Sequence, residues 1–308
     1  MVRNSIQLLI LLTMVLFNSC KGQDNEKHIY LAGWEVEFNG SEQCNSFIQT
    51  QAIDKETSYG EGTAIELVFK DNKLIKAFDI EEGHKTLRAL KETEKDFKYQ
   101  EVKPNQIYQI IKSEKGESYL GGQPPPDFKM PKFEFNAPFQ YLGKISKSEE
   151  AFSWLPFDLH LVVPLYNYFG KLYIDYSNPL QPEIINIDEL KKKDNADKNL
   201  EPNSEIVFKK TPIKLEKSKN YGDSYNHTGV PGWIQNPNIP IDPKSKKTMK
   251  FLCQLSSDIG VKAERTNVKA KTESMQHYYE SLNFAGDGDI YIFFNPDTKM
   301  ACFLIQNT

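Results

Sequence analysis

A turn followed by a buried strand, present twice, constrains this chain more than any other feature. The better copy runs Gly229-Val-Pro-Gly-Trp-Ile-Gln235, then, after a polar insert, Phe251-Leu-Cys-Gln-Leu-Ser-Ser-Asp258. A Gly-Pro pair fixes a turn, and the apolar run after it reads as a strand too buried to alternate cleanly. An earlier copy has Gly122-Gln-Pro124 against Gly229-Val-Pro231 and Tyr141-Leu-Gly-Lys-Ile-Ser146 against Phe251 to Ser256. Gly170-Lys-Leu-Tyr-Ile174 then matches Gly288-Asp-Ile-Tyr-Ile292, and Pro182 to Ile185 matches Met300 to Phe303. The identities are few, but the shared order of turn, strand, glycine-led strand and strand implies two β-rich halves, about 118–187 and 225–308, related by a pseudo-twofold. The predicted class is β-rich α+β, with mostly antiparallel sheets and few helices.

The amino terminus does not belong to that fold. Arg3 precedes the apolar run Ile6 to Phe17, too short to span a bilayer as a helix and shaped like an export signal. Leu16-Phe17-Asn18-Ser19-Cys20 resembles a bacterial lipobox, which makes residues 1–19 a lipoprotein signal peptide and Cys20 the site of lipid attachment. An ordinary cleaved signal with an incidental cysteine is the alternative. Lipid on Cys20 would hold the protein to a membrane with several acyl chains, where one chain binds only marginally. Residues 20–28 then form a polar tether, and Lys21 in the second mature position fits outer-membrane sorting by analogy with lipoproteins.

The mature part is a globular chain with a mixed surface. The 38 basic and 42 acidic residues leave a formal net charge of −4, which gives no reason to expect nucleic acid as partner. Residues 29–98 form a β-rich extension, and 99–308 the duplicated domain. His28 to Phe38 reads as a half-buried strand, with Trp34, Val36 and Phe38 on one side. Thr63 to Phe69 and Lys73 to Ile80 form a hairpin across Asp71-Asn72. Lys85 to Phe97 reads as a solvated helix, with Glu81, Glu82 and His84 at its start as a cap or a solvated cluster rather than an acid–base pair. Ile107 to Lys112 is a strand or a helical turn, and Pro124 to Pro126 mark a loop. Phe139 to Ile145, Leu159 to Leu165 and Gly170 to Pro179 read as strands. Asp188 to Tyr221 reads as a surface connection with one strand, Ile206 to Phe208, and Ala263 to Leu282 as an amphipathic helix. Cys253 and Cys302 lie in apolar runs, so buried thiols are the default, and a bridge requires neighbouring strands.

These residues resemble the bacterial YwqG-like family, a domain of unknown function. The resemblance rests on Gly229 to Gln235, on Phe251 to Asp258, on Gly286-Asp-Gly-Asp-Ile-Tyr-Ile-Phe-Phe294, and on Leu120-Gly-Gly-Gln-Pro124 with Phe139 to Ile145. It covers roughly residue 100 to the end. Ala285 replaces a frequent tryptophan and Asp289 a glycine, and the stretch from Cys20 to about Phe97 is extra. The resemblance implies a β-rich, internally duplicated fold and no established reaction; some members are encoded near secreted toxins.

Motif chemistry is sparse. Asp287 and Asp289 could offer oxygens to calcium, but the full ligand loop is missing, and Gly-Asp-Gly-Asp is also a common turn. The five histidines lack zinc spacing, and no nucleophile elbow or phosphate loop occurs, so no cofactor is expected. Around the Gly229 turn, Tyr225, His227, Trp233 and Gln235 suit sugar or peptide recognition, although a core anchor is the favoured reading of Trp233, since large aromatics mostly serve packing. Three functions fit: a non-catalytic interaction lipoprotein with a protein partner, such as one that neutralises a toxin; a surface sugar- or peptide-binding lipoprotein; and an unrecognised hydrolase. The last requires carboxylates or histidines clustered in a concave pocket.

Overall fold

The computed structural model describes residues 25–33, 41–60, 62–131, 139–166, 169–192, 200, 204–221, 226–286 and 288–307. The chain is a β-rich α+β protein, with 41% strand, 13% helix and several antiparallel sheets. No helix among the described residues is long and apolar enough to cross a membrane. The signal segment with Cys20, the run Trp34 to Phe38, Tyr225 and Asp287 lie outside the described residues.

The extension forms a five-stranded sheet, ordered β2-β1-β3-β4-β5. Its strands are β1 (Lys27–Ala32), β2 (Ala52–Ile53), β3 (Thr63–Lys70), β4 (Lys73–Glu81) and β5 (His84–Arg88). Helix α1 (Ser41–Gln51) covers one face, burying Cys44, Phe47 and Ile48 against Ile29, Leu31, Leu67 and Phe69. Strand β1 begins inside the segment read as tether. The β3–β4 hairpin turns on Asp71 and Asn72, whose φ of 51° and 64° is the left-handed pair that matches strand twist. A second short helix, α2 (Lys55–Ser58), is capped by Asp54, whose carboxylate accepts from the Thr57 amide at 2.7 Å.

The solvated helix expected over Lys85 to Phe97 is instead β5 and a 3-10 turn at Glu92–Glu94. Its charges form a clamp: the Arg88 guanidinium binds Glu94, buried at 0% exposure, and Asp79 on the neighbouring strand. Glu81 and Glu82 accordingly sit at a hairpin end, with Glu82 at φ 48°, and cap no helix.

The rest of the chain builds an 11-stranded sheet, ordered β11-β10-β18-β17-β15-β14-β6-β13-β7-β8-β9, and a separate two-stranded one. Strands β6 (Ile107–Lys112) and β13 (Thr211–Ser218) pair antiparallel at its centre. On one side follow β7 (Ser118–Leu120), β8 (Gln140–Ile145) and β9 (Leu159–Val163). On the other follow β14 (His227–Thr228), β15 (Lys250–Ser256), β17 (Asp289–Asn295) and β18 (Met300–Gln306). The two wings mirror each other about the β6–β13 pair. Each contains a register shift at the aligned place, between Tyr141 and Gly143 in β8 and between Phe251 and Cys253 in β15. The register makes β9, rather than the aligned Gly170–Ile174 segment, the counterpart of β17: Lys144 faces His160 as Gln254 faces Tyr291. Strands β10 (Leu172–Asp175) and β11 (Glu183–Ile184) instead extend the sheet beyond β18.

Three further expectations change. The surface connection over Asp188 to Tyr221 holds a short helix, α3 (Ile187–Lys192), and the central strand β13. Its apolar positions, buried Ile213 and half-buried Leu215, alternate with exposed Lys214 and Glu216. Ala263 to Leu282 is not one amphipathic helix. Strand β16 (Ala263–Thr266) pairs with β12 (Ile206–Phe208), and α4 covers only Glu273–Tyr278. Finally, Cys253 and Cys302 cannot bridge. Strand β17 lies between them, and they enter different core clusters, Cys253 with Leu252 and Leu255, Cys302 with Phe293 and Leu304. In denaturant without reductant, the chain starting at Lys21 is expected to titrate three thiols; a bridge mapped between Cys253 and Cys302 contradicts this register.

Candidate functional site

The residues after β14 form a loop with no strand to pair with, so its peptide groups need other partners. Three adjacent strands supply side chains. On β15, Gln254 accepts from the Gly232 amide at 2.8 Å and donates to the Gly232 carbonyl at 3.0 Å. From β17, the Tyr291 hydroxyl donates to the same carbonyl at 2.7 Å and accepts from the Ile234 amide at 3.0 Å. At the end of β18, Gln306 accepts from the Gln235 amide and donates to the Asn236 carbonyl, both at 3.0 Å. Six hydrogen bonds from three strands thus tie the loop to the sheet beneath it.

Trp233 lies flat on that sheet. Its ring stacks on Tyr291 at 4.8 Å and 14°, and on Phe293 at 6.0 Å and 17°. Phe251, Met300 and Leu304 complete the cluster below. The indole is only half-buried, and it also lines a cleft of about 630 Å³. The core-anchor and binding readings of Trp233 therefore describe the same ring, packed on the sheet and presented to the cleft.

The cleft runs between the extension and the second repeat. One wall holds Ala32, Gly33, Phe47, Gln51 and Thr63; the other holds His227, Pro231 to Pro237 and Gln254. His227, Trp233 and Gln235, singled out from the sequence, thus share one site. Tyr225 and Asp287, also singled out, are outside the described residues. Gln51 ends α1 and spans the gap, donating to the Ala32 carbonyl at 2.9 Å and the Pro231 carbonyl at 3.2 Å. Ile53, Ala64 and Ile80 of the extension pack with Ile107, Tyr221 and Val230 beneath it, so the two walls share a core.

Two titratable groups sit behind the loop. Burial drives the His227 imidazole down to about 4, so it is neutral at pH 7. Burial drives the Asp289 carboxyl up to about 6; it accepts from Gln254 at 2.6 Å. Asp289, 1% exposed, thus steadies the Gln254 fork. Among the described residues, no group of three His, Cys, Asp or Glu side chains could hold a metal. Three polar atoms in the cleft walls, Gln51 Oε1, His227 Nδ1 and Trp233 Nε1, are buried without a partner.

Gln51, Gln254, Tyr291 and Gln306 were not singled out from the sequence. Gln254 carried one signal, an amide in the middle of an apolar strand. Gln51 carried none, because its partner Pro231 lies 180 residues away. A second cleft of about 500 Å³ lies on the other side of the Gly229 turn, lined by Thr50, Tyr108, Trp154, Thr228 and Lys250. Comparison with known protein families, curated proteins and solved structures finds no match to this chain.

Proposed function

We propose that this chain is a non-catalytic binding lipoprotein of the YwqG-like kind, held to a membrane through lipid on Cys20, that captures its partner in the cleft at Trp233. The observation that carries the reading is the makeup of that cleft. Its described lining is amides, peptide groups, a threonine and apolar and aromatic side chains led by the Trp233 ring, and none of it is charged at neutral pH. Such a lining orients and holds a ligand by hydrogen bonds and stacking. Acid–base chemistry needs paired titratable groups tuned to the working pH, and the described lining offers one neutral imidazole and the Tyr221 phenol, which burial pushes up to about 12. The envelope address rests on the Ile6 to Cys20 pattern, and the family reading on the Gly229 to Asp258 and Gly286 to Phe294 motifs.

The test uses the soluble chain starting at Lys21, immobilised against envelope extract, beside its Trp233→Ala variant. Removing the half-buried indole is expected to cost about 2 kcal/mol of stability, less than for a fully buried aromatic, and to leave the variant folded by circular dichroism. Retention of the partner is expected to fall at least tenfold. Equal retention by the two proteins overturns the reading.

A further inference from the structure

We infer that the ligand of this cleft is a neutral saccharide whose ring stacks on Trp233. The inference rests on the binding reading above and deepens it. Four observations lead to it.

The first is the absence of charge among the described lining residues. A charged ligand would give up its hydration there with no counter-charge in return. This is a property of the second repeat and not of the fold. At the matching place in the first repeat, Lys144 occupies the position of Gln254 and pairs with Asp158 at 3.0 Å, while Lys210 lies over the ring of Tyr119.

The second is the platform. The Trp233 ring is fixed on Tyr291 and Phe293, so it offers a flat, immobile apolar surface. The C–H face of a pyranose is flat and apolar while its rim is hydroxyl, the same division found across an indole beside amides.

The third is the set of unpartnered atoms. Gln51 Oε1 can only accept, Trp233 Nε1–H can only donate, and neutral His227 Nδ1 does either according to tautomer. Each unpaired group costs about 1–3 kcal/mol, which a partner relieves. Hydroxyls both donate and accept, so a ligand hydroxyl could pair with whichever of the three, each closed to water in this conformation, a small shift of the loop uncovers. The volume of about 630 Å³ falls in the small-molecule range and leaves room for a short oligosaccharide.

The fourth separates sugar from extended peptide. Peptides are commonly bound by adding a strand to an open sheet edge. The strands bordering this cleft, β1, β3, β14 and β15, are each already paired on both sides.

Isothermal titration of the soluble chain with chitotriose, maltotriose and cellotriose tests this, beside trigalacturonate and a capped trialanine. At least one neutral trisaccharide is expected to bind with a Kd at or below about 1 mM. Its affinity should change less than about twofold between low and high salt, because no ion pair forms. Trp233→Ala should weaken it at least tenfold, and Trp233→Phe, which keeps the platform, should weaken it less. Failure of all three neutral sugars, or tighter binding of trigalacturonate or of the peptide, overturns the inference. If the sugars fail while the captured partner is still lost with Trp233→Ala, the sugar class falls and the cleft reading stands.

Discussion

Replacing Asp289 by asparagine is expected to stabilise the protein at pH 7.5, by about 2–3 kcal/mol. Asp289 titrates near 6 in the fold, against about 3.9 for a free aspartate. With its folded value raised, its contribution is whole below pH ~4 and is lost as pH rises through 6. At neutral pH the fold carries the full cost of a buried carboxylate, and asparagine removes that cost while keeping an acceptor for Gln254. His227 works in the opposite sense. Its folded value near 4 lies below the usual 6.5, so its contribution is whole above pH ~6.5 and drains away as pH falls toward 4. Each shift corresponds to about 3 kcal/mol at most. In the wild type the two nearly cancel between pH 4 and 6.5. Asp289→Asn should uncover the acid sensitivity of His227, and His227→Gln the reverse slope. Urea unfolding at pH 4.5 and 7.5 measures this, and an Asp289→Asn protein with the wild-type pH slope contradicts it.

The second large effect concerns the paired glycines that begin the two turns. Gly121 has φ 68° and Gly229 φ 108°, and a Cβ on either would lie 2.5 Å from a backbone oxygen, of Lys209 or Gln106. Those residues lead into β13 and β6, the central pair of the large sheet, so the backbone cannot move aside without disturbing the symmetry axis. Gly121→Ala and Gly229→Ala should each lose on the order of 3 kcal/mol or more, left-handed strain plus a backbone collision. Gly286→Ala is the control: φ is 92°, but nothing lies within 4 Å of the new methyl, so strain alone acts, about 1–2 kcal/mol. Urea midpoints compare the three. A Gly121→Ala cost no larger than that of Gly286→Ala contradicts the mirrored packing.

The same pair shows how far the sequence could be read. The alignment of Gly122-Gln-Pro124 with Gly229-Val-Pro231 places both turns but one residue out of step, because Gly121 is the residue that packs as Gly229 does. Strands whose apolar runs are buried on both faces, such as β15 and β17, were plain. Strand β13 was not, because its solvent face is lysine and glutamate, the composition of a surface connection. Lys85 to Phe97 and Ala263 to Thr266 read as helix because their charges suggested a solvated face. Those charges instead make ion pairs, Arg88 with Glu94 locally across a turn and Arg265 with the distant Glu205 at 2.8 Å. In the site, the turn's own residues were legible and the opposite wall was not. Gln51 and Gly33 reach the cleft only once the extension has packed against Tyr221 and Val230, a contact with no local sequence signal.

The central claim is that partners bind where the extension meets the second repeat. Hydrogen exchange of the soluble chain with and without its captured partner tests it most directly. Protection is expected on both walls together, over Phe47–Gln51 and Val230–Pro237. Protection confined to the second cleft, around Tyr108, Trp154 and Lys250, or absent from both walls, contradicts it.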